Sequence, residues 1–191
     1  MKSGKIILIG LLVVAIMFGS WFIGTRNNLV TLEEEVHLEL SNVGTTLQRR
    51  SDLIPNLVET VKGYAKHEEK VFTDIAEARS KLAGTISSGD IEAMQEANNS
   101  LDSALSRLLM ITENYPELKA SEHFTALQDE LAGTENRITV ARQHYNETVR
   151  KYNTTLKKFP ASIIANMSGF EAADYFEVEE SAKDAPKVSF D

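Results

Sequence analysis

The stretch IILIGLLVVAIMFGSWFI, residues 6–23, decides how this chain is organised, because eighteen positions pass without a charge. At a helical rise of about 1.5 Å per residue it spans about 27 Å, close to the hydrocarbon thickness of a bilayer. A helix is also the only open-ended structure that satisfies its own backbone in lipid. Trp21 and Phe22 close the stretch, where aromatic rings suit the headgroup level. The sequence therefore predicts a transmembrane helix over 6–23. A cleaved signal peptide is the competing reading, with Lys2 and Lys5 as its charged start. Cleavage wants small residues at −3 and −1, and Phe18-Gly19-Ser20-Trp21 puts Phe at the first of these. On the far side only Arg26 precedes Glu33, Glu34 and Glu35. The positive-inside rule then keeps residues 1–5 in the cytoplasm and sends the rest across.

The whole chain has 191 residues, which leaves one domain of ordinary size beyond the span. It holds 25% charged and 42% hydrophobic residues, a folding composition rather than a disordered one. Only 10 Gly and 4 Pro punctuate it, which favours long helices over strands and turns. The net charge of −8 is spread widely, without a basic block to track a phosphate backbone, so nucleic acid is not an expected partner. The chain has no Cys, so it has no disulfide, no Cys-ligated zinc and no lipid-modified anchor cysteine.

After the span, apolar residues recur three and four apart. Leu29, Leu32, Val36, Leu40, Val43 and Leu47 make one stripe, and Leu57, Val61, Tyr64, Phe72, Ile75 and Leu82 a second. Ile91, Met94, Leu101, Leu105 and Leu108 make a third. Phe124, Leu127, Leu131, Ile138, Tyr145, Tyr152, Leu156 and Phe159 make a fourth. Such stripes need one another for burial, and the simplest solution is an antiparallel up-and-down four-helix bundle with long helices over 24–160. Ser51-Asp52-Leu53-Ile54-Pro55 reads as the start of helix two, residues 84–90 as a loop with Asp90 as N-cap, and Asn114-Tyr115-Pro116 and Phe159-Pro160 as stops. Helix two then outruns helix one by roughly 12 Å. A first helix continuous with the span would close that gap. Residues 161–191, with seven acidic and two basic residues after 170, read as an acidic tail pinned to the bundle by its aromatics or trailing from it.

The run Arg49-Arg50-Ser51-Asp52-Leu53-Ile54-Pro55-Asn56-Leu57-Val58-Glu59-Thr60-Val61-Lys62-Gly63-Tyr64-Ala65 closely resembles the LemA family. The match resumes at Tyr145-Asn146, Tyr152-Asn153, Phe159-Pro160, Gly169-Phe170, Phe176-Glu177 and Pro186-Lys187-Val188-Ser189-Phe190. The resemblance implies an N-terminal anchor and a helical bundle in the bacterial envelope, with a branch of relatives in magnetosome membranes. It implies no established activity. This chain departs from the family's pattern at Arg26-Asn27, where Tyr-Asn is common, and at Leu40, where Trp is common.

Arg49, Arg50, Asp52, Asn56 and Glu59, around Pro55, cluster at the expected first turn of helix two. They read either as a well-capped corner or as a protein-docking surface at the membrane-distal end of the bundle. Tyr145 and Tyr152, seven apart, share a helix face, and Asn146 and Asn153 share the next. The tyrosines suit a core with phenols at its rim, and the asparagines suit interhelical hydrogen bonds that set register. Glu34 and His37 form one Glu-x-x-His, but His67, His123 and His144 lack the Glu three before, so no metal or other cofactor is expected. No phosphate loop, Gly-x-Ser-x-Gly or cysteine nucleophile is present. The function expected is a non-enzymatic scaffold or adaptor of the bacterial inner membrane, single-pass, with its bundle outside the cytoplasm. Its partners would be the bilayer through 6–23 and other envelope proteins, a homo-oligomer included. The alternatives are a membrane-shaping, lipid-interacting protein and an enzyme subunit with a site between helices.

Overall fold

A computed structural model describes residues 2–177, and every regular element among them is an α-helix. In chain order these are α1 (Lys2–Lys62), α2 (Glu69–Ser88), α3 (Ile91–Thr112), α4 (Pro116–Lys119), α5 (Glu122–Lys157) and α6 (Ala161–Ser168). The expected span is the start of α1, which is long and apolar enough there to cross a membrane. Its side chains from Gly4 to Phe18 are all exposed, the reverse of what a soluble core helix shows.

The expected helix break at Ser51–Pro55 does not occur. α1 runs through it as one helix of 61 residues with Pro55 inside. A proline in mid-helix has no N–H for the carbonyl four residues earlier, here that of Ser51. Arg79 of α2 supplies the missing donor. Its Nε donates to the Ser51 carbonyl at 3.0 Å and reaches Ser51 Oγ at 3.3 Å. The chain instead turns at residues 63–68, where Tyr64 and Ala65 both donate their N–H to the Val61 carbonyl. Tyr64, expected in the second stripe, therefore falls beyond the helix and is 44% exposed. The long first helix and a second of 20 residues remove the length mismatch of the sequence reading.

The expected loop at 84–90 is shorter than the sequence suggests, since α2 continues to Ser88. Gly89 closes it in the left-handed region at φ 70°, donating its N–H to Thr85 O at 3.2 Å. Asp90 caps α3 as expected, accepting from the Ala93 N–H at 2.9 Å. The Pro116 stop ends α3 and opens the single turn of α4.

The described chain divides into two compact units. The first holds α1 up to Ser41 together with His144–Ala173. Its core is Leu29, Leu32 and Val36 of α1, Tyr145, Val149, Tyr152 and Leu156 of α5, and Ile164 and Ala165 of α6. Phe159, expected to end the fourth stripe, is 81% exposed because α5 stops at Lys157 and the residue lies in the turn beyond. The second unit holds Asn42–Gln143 and, of the described chain beyond, Asp174–Glu177. Its core draws on Val43, Leu47, Ile54, Leu57 and Val61 of α1, Ile75 and Leu82 of α2, Met94, Leu101 and Leu108 of α3, and Phe124 and Ile138 of α5. Residues 161–168, read from sequence as part of a tail, form the helix α6. The apolar tail residues Val188 and Phe190, like residues 178–191 as a whole, lie outside the described residues.

Candidate functional site

The residues singled out around position 50 divide between core and solvent. Arg50 sits on the inner side of α1 in the second unit, only 6% exposed. An arginine cannot shed its charge, so its burial requires acceptors around the guanidinium. Asp102 of α3 takes Nη2, Glu135 of α5 takes Nη1 at 2.5 Å, and Asn98 of α3 accepts from Nη1 at 3.3 Å. Asn98 donates in turn to Asp102 Oδ2 at 2.8 Å. Burial pushes the Asp102 carboxyl above its ordinary range, against the pull of Arg50 and with the repulsion of Glu135. This arrangement ties three helices of the unit together. Both carboxylates are engaged by the one guanidinium.

Arg49, Asp52, Asn56 and Glu59 are all exposed. Their spacing of three, four and three lays them along one outer face of α1. Arg49 donates to Glu130 at 2.9 Å and Arg137 reaches the same carboxylate at 3.3 Å. These two hydrogen bonds, Arg49 first, hold Glu130 below the usual carboxylate range. Asp52 accepts from Gln48 at 2.8 Å and Glu59 from Lys62 at 2.9 Å. The sequence reading placed all five residues at a helix start. The structure puts them in mid-helix, with Arg50 withdrawn into the core. It also adds Arg79, Asn98, Asp102 and Glu135, which the sequence reading missed. Asn98 and Asp102, four apart beside the third apolar stripe, were the available signal.

In the first unit Tyr145 and Tyr152 are buried as expected, at 1% and 2% exposure. The Tyr152 hydroxyl lies 3.4 Å from Glu33 Oε1. Burial first, and then the Glu33 charge, push the phenol up to about 12. Asn146 is half-buried. Asn153, expected to bridge helices, reads backbone instead. Its Oδ1 accepts the Ala173 N–H at 2.9 Å and its Nδ2 donates to the Ala173 carbonyl at 2.8 Å. A carboxamide carries one donor and one acceptor side by side, which matches the two polar groups of a single extended residue.

Gln95 of α3 does the same in the second unit, accepting from the Glu177 N–H at 3.1 Å and donating to its carbonyl at 3.2 Å. Phe176 beside it is 3% exposed, with the Arg142 guanidinium 5.4 Å from its ring centre. A cleft of about 890 Å³ lies here, lined by Asp90, Glu92, Gln95, Glu96, Asp174, Tyr175 and Glu177 among others. Its walls are acidic. Among the described residues no group of three or more His, Cys, Asp or Glu is arranged to hold a metal ion.

The LemA family model matches residues 39–190. Two magnetosome proteins are similar over most of their length. MamQ 2 of Paramagnetospirillum magneticum is 27% identical, over 94% of this chain and 75% of its own. MamQ of Magnetospirillum gryphiswaldense is 26% identical, over 85% and 68%. Protein LemA of Metamycoplasma hominis is 24% identical, over 83% of this chain and 74% of its own.

Proposed function

This chain belongs to the LemA family, and from that premise we propose that it is a membrane-anchored, non-catalytic scaffold of the bacterial envelope. The anchor is residues 6–23 of α1, the inner membrane is its site, and the chain beyond the span lies outside the cytoplasm. One observation carries the reading. α1 is a single helix that bears a bare apolar stretch near its start and, later, a solvent-facing polar stripe of Arg49, Asp52, Asn56 and Glu59. One continuous helix thus carries both an anchor and a surface with which other envelope proteins could pair. The helices are read as an antiparallel bundle. Supporting this, Lys81 pairs with Glu96 and Asp74 with Arg107 between α2 and α3, and Glu35 pairs with Lys151 between α1 and α5. Similarity to proteins of magnetosomes accords with a role at membranes.

The test is site-specific photocrosslinking in native membranes from position 56, whose side chain is exposed. A discrete crosslinked protein that disappears in Arg49→Glu, without loss of the scaffold itself, is the expected result. Arg49 is the residue to reverse, since Arg50 is buried and its replacement would disturb the fold. A crosslink that survives the reversal, or none from positions 52 and 56, would remove the docking surface. A reporter fused after Asp191 that works only in the cytoplasm would reverse the orientation.

A further inference from the structure

We infer that the first unit makes a second, interfacial contact with lipid through the turn and helix at residues 157–170, beside the point where α1 leaves the bilayer. This rests on residues 6–23 being the anchor. No charge interrupts residues 159–170, and Lys157 and Lys158 stand directly before them. In an ordinary surface helix the outward face is polar and the inward face apolar. α6 instead exposes apolar side chains on its outer side too, beside the single exposed polar residue Asn166. Ile164 and Ala165 are buried inward, while Ile163 and Met167 point outward at 49% and 72% exposure, and Phe159 in the preceding turn is 81% exposed. Ile163 and Met167, four apart, share one face. A contiguous exposed apolar face on a folded protein marks a contact that water does not make.

Position identifies that contact as lipid. Lys151 pairs with Glu35 at 2.9 Å, and the Tyr152 hydroxyl lies 3.4 Å from Glu33. Rising positions on α5 thus meet falling positions on α1. From there α5 runs to Lys157, roughly 8 Å further toward the span. Glu33 itself stands about 15 Å along α1 from Ile23. The end of α5 and the turn into α6 therefore approach the level where the apolar span ends. Trp21 and Phe22 lie at that level and are half-buried, whereas the span before them is bare. Aromatic and long apolar side chains suit this depth, and lysines beside them suit anionic headgroups, each giving about a fivefold gain in partition. The occupant of this face is therefore the headgroup and upper acyl region of an anionic bilayer.

The absence of Cys allows single labels. Full-length Ile163→Cys, Met167→Cys, Val14→Cys and Leu38→Cys, each carrying an environment-sensitive fluorophore, are reconstituted into phosphatidylcholine vesicles with and without phosphatidylglycerol. Quenching by nitroxide lipids is then read. Leu38 is a control on the same unit, 60% exposed and about 22 Å along α1 from Ile23. Positions 163 and 167 should be quenched by shallow nitroxides, position 14 by deep ones, and position 38 by neither. Quenching at 163 should weaken when both lysines are Lys157→Glu and Lys158→Glu, while position 14 is unchanged. Quenching at 14 without quenching at 163 and 167 overturns this contact and leaves the anchor. No quenching at 14 overturns the anchor, and with it the positional argument for this contact. A blue shift at 163 without quenching shows protein there, a second copy included, and overturns the lipid assignment.

Discussion

Replacing Arg79 tests whether α1 is continuous because another helix completes it. The Ser51 carbonyl has no donor from Pro55, and Ser51 is 1% exposed, so water cannot readily take the place of the Arg79 Nε bond at 3.0 Å. A buried carbonyl left without a partner costs about 1–3 kcal/mol. The Arg79 side chain is 42% exposed, so water can follow where it withdraws, and the lower part of that range, about 1–2 kcal/mol, is expected for Arg79→Met. At roughly 2–4 °C per kcal/mol for a chain of this size, the melting temperature should fall by about 2–8 °C. Asp52, 3.9 Å from Arg79, is exposed and contributes little to that loss. The same substitution should cost much less in a Pro55→Ala background. An alanine there restores the N–H that the Ser51 carbonyl lacks, and the helix closes on itself. The assay is thermal unfolding of the four full-length proteins by circular dichroism, read as a double-mutant cycle. A coupling of about 1 kcal/mol or more is expected. Equal costs for Arg79→Met in both backgrounds would refute the reasoning and leave Arg79 as an ordinary surface contact.

Three further outcomes follow from the same geometry. Arg50→Met should cost about 2–3 kcal/mol in thermal unfolding, below the range for a fully buried pair because Asp102 and Glu135 keep contact with water; Asp102→Asn should cost less, since burial already disfavours its charge. With its folded value raised, Asp102 contributes stability below its unfolded value of 3.8 that is lost as pH rises through the folded one; Glu130, lowered from 4.5, does the opposite, so Asp102→Asn and Glu130→Gln should tilt the acid limb of the pH–stability curve in opposite senses. Tyr152 holds its proton up to about 12 in the folded chain against 10.0 unfolded, so stability should fall as pH rises across that window; Tyr152→Phe should flatten the fall, and an unchanged alkaline limb would show that Glu33 and burial do not act on it.

Periodicity and charge were enough to read much of this protein. Eighteen uncharged residues at 6–23 fix a membrane-length helix whatever follows them, since length and polarity are local properties. The stripes that became core, from Leu29 to Leu47 and from Met94 to Leu108, were legible because helical spacing puts them on one face. So was the Asp90 cap, because a cap acts within one turn. Helix continuity at Pro55 was not legible. Proline argues for a break when only its neighbours are read, and the donor that overrides it stands 28 residues beyond Ser51 on another helix. For the same reason the sequence could not sort Arg49 from Arg50. The two are adjacent, and only the carboxylates of Asp102 and Glu135, brought from α3 and α5, make the interior tolerable for one of them. Asn153 looked like a helix-to-helix residue because its heptad partner Asn146 shares its face, yet its amide meets the backbone of Ala173. Local patterns thus determined which faces are apolar and where a helix of membrane length lies. Which polar groups are buried, and with whom, was decided by packing, because desolvating a charge or a carbonyl is tolerated only where a distant part of the chain supplies its partner.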